Sequence, residues 1–143
     1  MKISSKDLVC DDLPDKLFNE KMKPLCEMAH VGYTKNKFEV YVHSNKGMIP
    51  HFHVLDASTS GNEFHSCICF KEAKYFEHHG KTSRFNAKDR KDLIEFLKSK
   101  PTKPKGSFED YWHLLVFMWS VSNPDNELDL NLQMPDYSQL PRP

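Results

Sequence analysis

The period-two placement of apolar residues between positions 38 and 70 constrains this chain more than any other feature. Phe38, Val40 and Val42 alternate with Glu39, Tyr41 and His43, the pattern of a strand with one face buried. Ser44-Asn45-Lys46-Gly47 follows as a turn cluster, in which Asn and Gly tolerate the left-handed conformation. Ile49-Pro50-His51-Phe52-His53-Val54-Leu55 reads as a second strand, with two imidazoles on one side and two apolar side chains on the other. Pro50 has no N–H for a ladder, so it belongs at the strand's start or on an edge. Beyond the polar connection 56–63, a third strand runs from Phe64 to Phe70. Phe64, Ser66, Ile68 and Phe70 face one way, and His65, Cys67 and Cys69 the other. Three consecutive strands with short connections form an antiparallel meander.

Helical signals flank this block. Asn86 is a good N-cap, Asp89 sits in the first turn, and Leu93, Ile94 and Leu97 form an apolar stripe. Pro101 stops that helix, which spans about residues 86–100. Ser107 followed by Asp110 resembles a capping box. The helix behind it, about 108–121, is apolar nearly all round, as in helices packed into a core or against a partner. Asn123-Pro124 ends it. Near the N-terminus, Asp12-Leu13-Pro14 opens a helix over 14–22, Pro24 interrupts it, and 25–33 is ambiguous between a helical turn and a strand. The expectation is one α+β domain over 1–143. It comprises an N-terminal helical segment (1–36), a sheet and helix core (37–100), a buried helix (107–122) and an extended acidic tail (123–143) laid across the domain. The sheet has three to four antiparallel strands and is packed by the two helices of the C-terminal half.

Charge narrows the functional classes. The formal net charge is zero, so the molecule as a whole does not attract polyanions. The charge is nevertheless divided: residues 71–105 hold eleven Lys and Arg against five Asp and Glu, and residues 106–143 hold one against six. The simplest consequence is that the acidic tail lies over the basic segment. No apolar stretch follows Met1-Lys2-Ile3-Ser4, and the longest apolar run, Leu114 to Trp119, is too short to span a bilayer. A cytoplasmic location without membrane association is expected, with Cys10, Cys26, Cys67 and Cys69 as reduced thiols.

Chemistry concentrates in the histidines. On a strand, His51 and His53 share a face with α-carbons about 6.6 Å apart. Two imidazoles so placed can converge on a metal ion or divide acid and base roles. With suitable pairing of the second and third strands, His65, Cys67 and Cys69 join them in a nitrogen and sulfur set suited to zinc or another divalent transition metal. Equally, such histidines can be satisfied by backbone carbonyls and such thiols simply buried. Two motifs built on strand histidines fail: histidine-triad nucleotide hydrolases need a further histidine at position 55, which is Leu, and cupins need a glutamate four or five residues on, whereas the nearest is Glu63. His78-His79 is a loop pair, and Tyr111, Trp112 and Trp119 are core residues or a partner-binding groove. Nucleic-acid binding would rest on Lys71, Lys74, Lys81, Arg84, Lys88 and Lys91, with Tyr75 and Phe85 interleaved for stacking. Phosphate-binding glycine loops, nucleophile elbows and zinc-finger spacings are absent from the sequence.

The block from Phe38 to Leu97 resembles a family of small bacterial proteins of unknown function. Its pattern is an aromatic strand, a Ser-Asn turn, and Pro-x-His-x-His-Val or Pro-His-x-His-Val. The matching residues are Phe38 to Asn45 and Pro50-His51-Phe52-His53-Val54, with Trp119 as the tryptophan near the C-terminus. The resemblance, some relatives being encoded beside toxin–antitoxin genes, implies a partner-binding or toxin-like role: a small cytoplasmic interaction protein, one half of a toxin–antitoxin-like or mobile-element pair, with a protein partner or a homo-oligomer as its working form. The alternative is a metal-dependent or histidine-based hydrolase, nuclease-like, with His51 and His53 as catalytic residues. This chain departs from the family in its longer N-terminus and its acidic tail.

Overall fold

The computed structural model of the protein describes residues 28–44, 48–57, 64–77, 82–102 and 108–143. Four strands, β1 (Met28–Tyr33), β2 (Phe38–His43), β3 (His51–Asp56) and β4 (His65–Cys69), form one antiparallel sheet in sequence order. Helices α1 (Ala87–Lys98) and α2 (Tyr111–Ser122) follow. This is the expected α+β architecture with its meander. The expected helix over 14–22 lies outside the described residues. Of the stretch 25–33, left ambiguous between a helical turn and a strand, the described residues from Met28 form strand β1, because Ala29 and Val31 alternate into the core with His30 turned away.

One face of the sheet carries the core. Ala29, Val31, Phe38, Val40, Val42, Phe52, Val54, Ile68 and Phe70 meet Leu93, Phe96 and Leu97 of α1 and the body of α2. Leu114, Leu115, Val116, Met118 and Trp119 of α2 are all buried. The all-round apolarity of this helix is therefore used within the chain, across β1 and β2 on one side and under the tail on the other. Asn86 caps α1 through its side chain, which accepts from the Asp89 N–H. The cap of α2 is Asp110, which accepts from the His113 N–H, so the helix begins three residues later than the Ser107 reading placed it. A carboxylate at the N-cap satisfies an otherwise orphaned N–H and favours the helix dipole.

Two devices fix the sheet against the helices. Asp92 of α1 accepts the Thr34 hydroxyl at 2.6 Å and the Asn36 N–H at 3.3 Å, and the Phe38 N–H donates to Thr34 Oγ1. A buried carboxylate thus ties the β1–β2 turn to α1, with its charge satisfied by donors. The second device is Gly32, beside a register shift between His30 and Gly32. A Cβ there would lie 2.8 Å from Phe96 Cζ and 3.0 Å from Tyr111 Cε1, so strand and ring pair approach through a missing side chain.

The tail is not a strand. Two short 3-10 turns, Pro124–Asn126 and Tyr137–Gln139, interrupt it, while Leu128, Tyr137 and Leu140 are buried. Its last residues do lie over the basic segment, and the contacts use carbonyls: Arg90 donates to the Leu140 oxygen, Arg84 to that of Arg142, and the Tyr75 hydroxyl to that of Pro141. Among the described residues, no helix is long and apolar enough to cross a membrane.

Gly32→Ala should destabilise the fold by about 1–3 kcal/mol, the usual range for overpacking. Urea unfolding measures this, and a midpoint equal to that of the wild type would mean the Phe96–Tyr111 pair gives way without cost.

Candidate metal centre

On the sheet face turned away from the helices, strand register decides which polar side chains meet. Tyr41, His53 and Cys67 form one row across β2, β3 and β4, since His53 pairs with both neighbours. His65 pairs with Leu55, which places it diagonally to His53, within reach of long side chains. His53 Nδ1 lies 2.9 Å from His65 Nε2. Cys67 Sγ lies 3.4 Å from the first nitrogen and 3.9 Å from the second. Their ligand atoms all fall within 4.8 Å of one another, and these three residues can hold a metal ion.

The triangle has the size of a coordination face. Metal–nitrogen bonds of about 2.0–2.1 Å and metal–sulfur bonds of about 2.3 Å, arranged tetrahedrally, give ligand–ligand edges of about 3.3–3.6 Å. The three observed edges straddle that range. Without a metal, the short nitrogen–nitrogen contact is a hydrogen bond in which one imidazole N–H donates to the other's lone pair. A bound ion would take the place of that proton.

The surroundings hold the three donors in position. Tyr41 stacks on His53 with centroids 4.9 Å apart, and the His43 ring meets His53 edge-on at 4.8 Å. The outer edge of β4 is satisfied by the segment beyond it. The Cys67 N–H donates to Thr82 Oγ1, the Thr82 hydroxyl to the His65 carbonyl, and the His65 N–H to Ser83 Oγ. The backbone carrying two of the donors is thereby fixed, as outer partners fix the orientation of metal ligands. His53 is 1 % exposed and Cys67 3 %, with His65 half-buried at the rim. Burial, with a smaller contribution from Cys69, pushes the Cys67 thiol up to about 12. Burial also raises the Tyr41 phenol, with Cys67 and Glu39 adding to the shift. At neutral pH the Cys67 sulfur is therefore a protonated thiol unless a cation draws it into the thiolate form.

Of the five residues expected as ligands, the structure brings together His53, His65 and Cys67. His51 is set apart: its Nδ1 donates to the Ile49 carbonyl at 2.7 Å, and its ring packs against Phe76 and Trp119. Cys69 pairs with His51 along the ladder, outside the metal-sized group. His78, His79 and Lys81 lie outside the described residues, as do Cys10 and Cys26. Among the expected polyanion ligands, Lys71, Lys74, Arg84, Lys88 and Lys91 are exposed. Lys74 is paired with Glu72, and Arg84 is bonded to the tail. Of the interleaved aromatics, Phe85 is fully buried, and the half-buried Tyr75 bonds both the Phe85 N–H and the tail through its hydroxyl. Sequence reasoning passed over Tyr41 and Thr82. Tyr41 was legible in principle, since it alternates with Val40 and Val42 and so belongs to the histidine face; Thr82 carries no comparable signal. The chain was compared with protein-family models, curated proteins and solved structures, and none of them matches it.

The raised Cys67 thiol has a pH signature. The unfolded thiol ionises from its ordinary value of 9.0, while the folded thiol holds its proton up to about 12. Stability of the metal-free fold is therefore fully present below pH 9 and falls as pH climbs through this window. Tyr41 and Tyr137, both raised by burial, act in the same direction. Cys67→Ser should flatten the alkaline loss, as read from denaturant midpoints in chelator; an unchanged slope would show that the thiol titrates normally.

Proposed function

We propose that this protein is a zinc-binding protein in which His53, His65 and Cys67 clasp the ion and clamp β3 to β4. The observation that carries this reading is the convergence of two imidazole nitrogens and one sulfur, 2.9, 3.4 and 3.9 Å apart, on a triangle whose edges average close to those of a tetrahedral face. A set of two imidazole nitrogens and one thiolate suits zinc above the hard cations, which prefer oxygen.

The burial of the donors supports a structural role for the metal. A hydrolase centred on His51 and His53 would need both imidazoles to reach a substrate. His51 is fully buried, its Nδ1 is committed to a carbonyl, and its ring is wedged against Phe76 and Trp119. These contacts favour a non-enzymatic protein of a reducing cytoplasm, where Cys67 stays a thiol able to become a ligand. The partner expected from the family resemblance would have to bind elsewhere than α2, whose apolar surface is spent on the core.

Protein purified without chelator or nickel resin should carry one zinc per chain by elemental analysis. Free zinc at about a hundred times its dissociation constant should stabilise the fold by about 2.7 kcal/mol. His53→Ala and Cys67→Ser should each lose more affinity than the roughly 10–100-fold that removing an outer partner costs. Metal-free protein whose unfolding is unmoved by zinc, cobalt or manganese would overturn the reading.

A further inference from the structure

Three donors leave one corner of a tetrahedron to be supplied, and structural zinc sites are closed by four protein ligands. We infer that the fourth ligand is the phenol oxygen of Tyr41, so that the ion joins three strands and not two. The inference rests on the metal-binding reading above.

Geometry carries it. Tyr41 Oη lies 3.5 Å from His65 Nε2, and oxygen and nitrogen ligands on a tetrahedral zinc stand about 3.3–3.5 Å apart. The Tyr41 ring lies nearly parallel to that of His53, at 15°, which directs its hydroxyl past that imidazole toward the rim where His65 stands. Tyr41 is 4 % exposed, so its ring is held in this orientation by packing. Among the described residues, the other candidates on this face are less well placed. His51 donates to a backbone carbonyl, and neither it, Cys69 nor His43 belongs to the metal-sized group. His43 is the closest competitor, with its ring 4.8 Å from that of His53. On coordination the phenol O–H bond breaks as the metal–oxygen bond forms, and the proton leaves to water. The oxygen then carries the charge that, together with the Cys67 thiolate, balances a divalent ion.

The consequence is a site closed to solvent ligands. β2 contributes oxygen, β3 nitrogen, and β4 nitrogen and sulfur, so occupancy reports on the pairing of three consecutive strands. A site of this kind has no open position at which substrate or water could be activated.

The test is zinc titration of the full chain, wild type, Tyr41→Phe and His43→Ala, followed by ultraviolet difference spectra and by competition with a chelator. The wild type should gain the red-shifted band of a single phenolate on binding zinc. Tyr41→Phe should lack that band and bind at least about tenfold more weakly, while His43→Ala keeps both band and affinity. A wild type that binds zinc without a phenolate band overturns the inference and leaves the metal-binding reading standing. So does a His43→Ala protein that loses the metal while Tyr41→Phe keeps it, which would assign the fourth corner to an imidazole. If none of the three binds zinc, both readings fall together. The band is read on the wild type itself, so the test survives a variant that folds poorly.

Discussion

The pairing of β3 with β4 sets His53 opposite Cys67 and Leu55 opposite His65, and the chemistry of the molecule hangs on that registration. A slip of one residue would exchange the two faces of a strand, turning His53 toward α2 and Phe52 toward the site. Phe52 and Val54 prevent it, because both are fully buried on the core face and their exposure would forfeit roughly 1.5–3 kcal/mol each. The hydrophobic core therefore does more than stabilise the sheet. It holds three donor atoms within a few ångströms of one another on the opposite face of the strands.

The face of the sheet opposite the main core also carries buried side chains, Tyr41, His51, His53 and Cys67 among them. A half-buried antiparallel sheet normally turns polar residues to water. Here the second face carries Tyr41, His43, His51, His53 and His65, whose rings close on one another at centroid distances of about 5 Å, with the Cys67 sulfur beside His53 and His65. Imidazoles and phenols suit such packing because each presents a flat apolar body with polar atoms at its edge, and here several of those atoms meet one another. The same property makes the layer suitable for a cation, since the polar edges already converge.

Much of this could be read from the amino-acid order. β2, β3, β4 and α1 followed from period-two alternation and from Asn86 as a cap, because those signals are local. β1 was ambiguous for a physical reason: its alternation is broken by a register shift between His30 and Gly32, and it contains a glycine whose close contact is with Phe96 and Tyr111, partners more than sixty residues away. The metal-sized group was half legible. Alternation identifies which residues share a face, and it listed His51, His53, His65, Cys67 and Cys69 together. Selecting three of these five takes the cross-strand register, which depends on turn geometry and packing. Tyr41 was passed over because an aromatic residue in a strand reads first as β-propensity.

Tyr137 offers a last consequence. Its hydroxyl donates to the Cys69 carbonyl at 2.7 Å, while its ring packs against Phe52 and Trp112. The chain's closing turn is thus bonded to the end of the strand that bears two donors, on the opposite side of the sheet from them. Events at the two places share one element, and coupling of this kind is reciprocal. Whatever stiffens β4 from the histidine side would slow the opening of the tail, and peeling the tail away would loosen the hold of His65 and Cys67 on any cation bound there. Hydrogen exchange would register residues 65–70 and 137–140 as a single cooperative unit, which makes the tail a remote handle on a buried site.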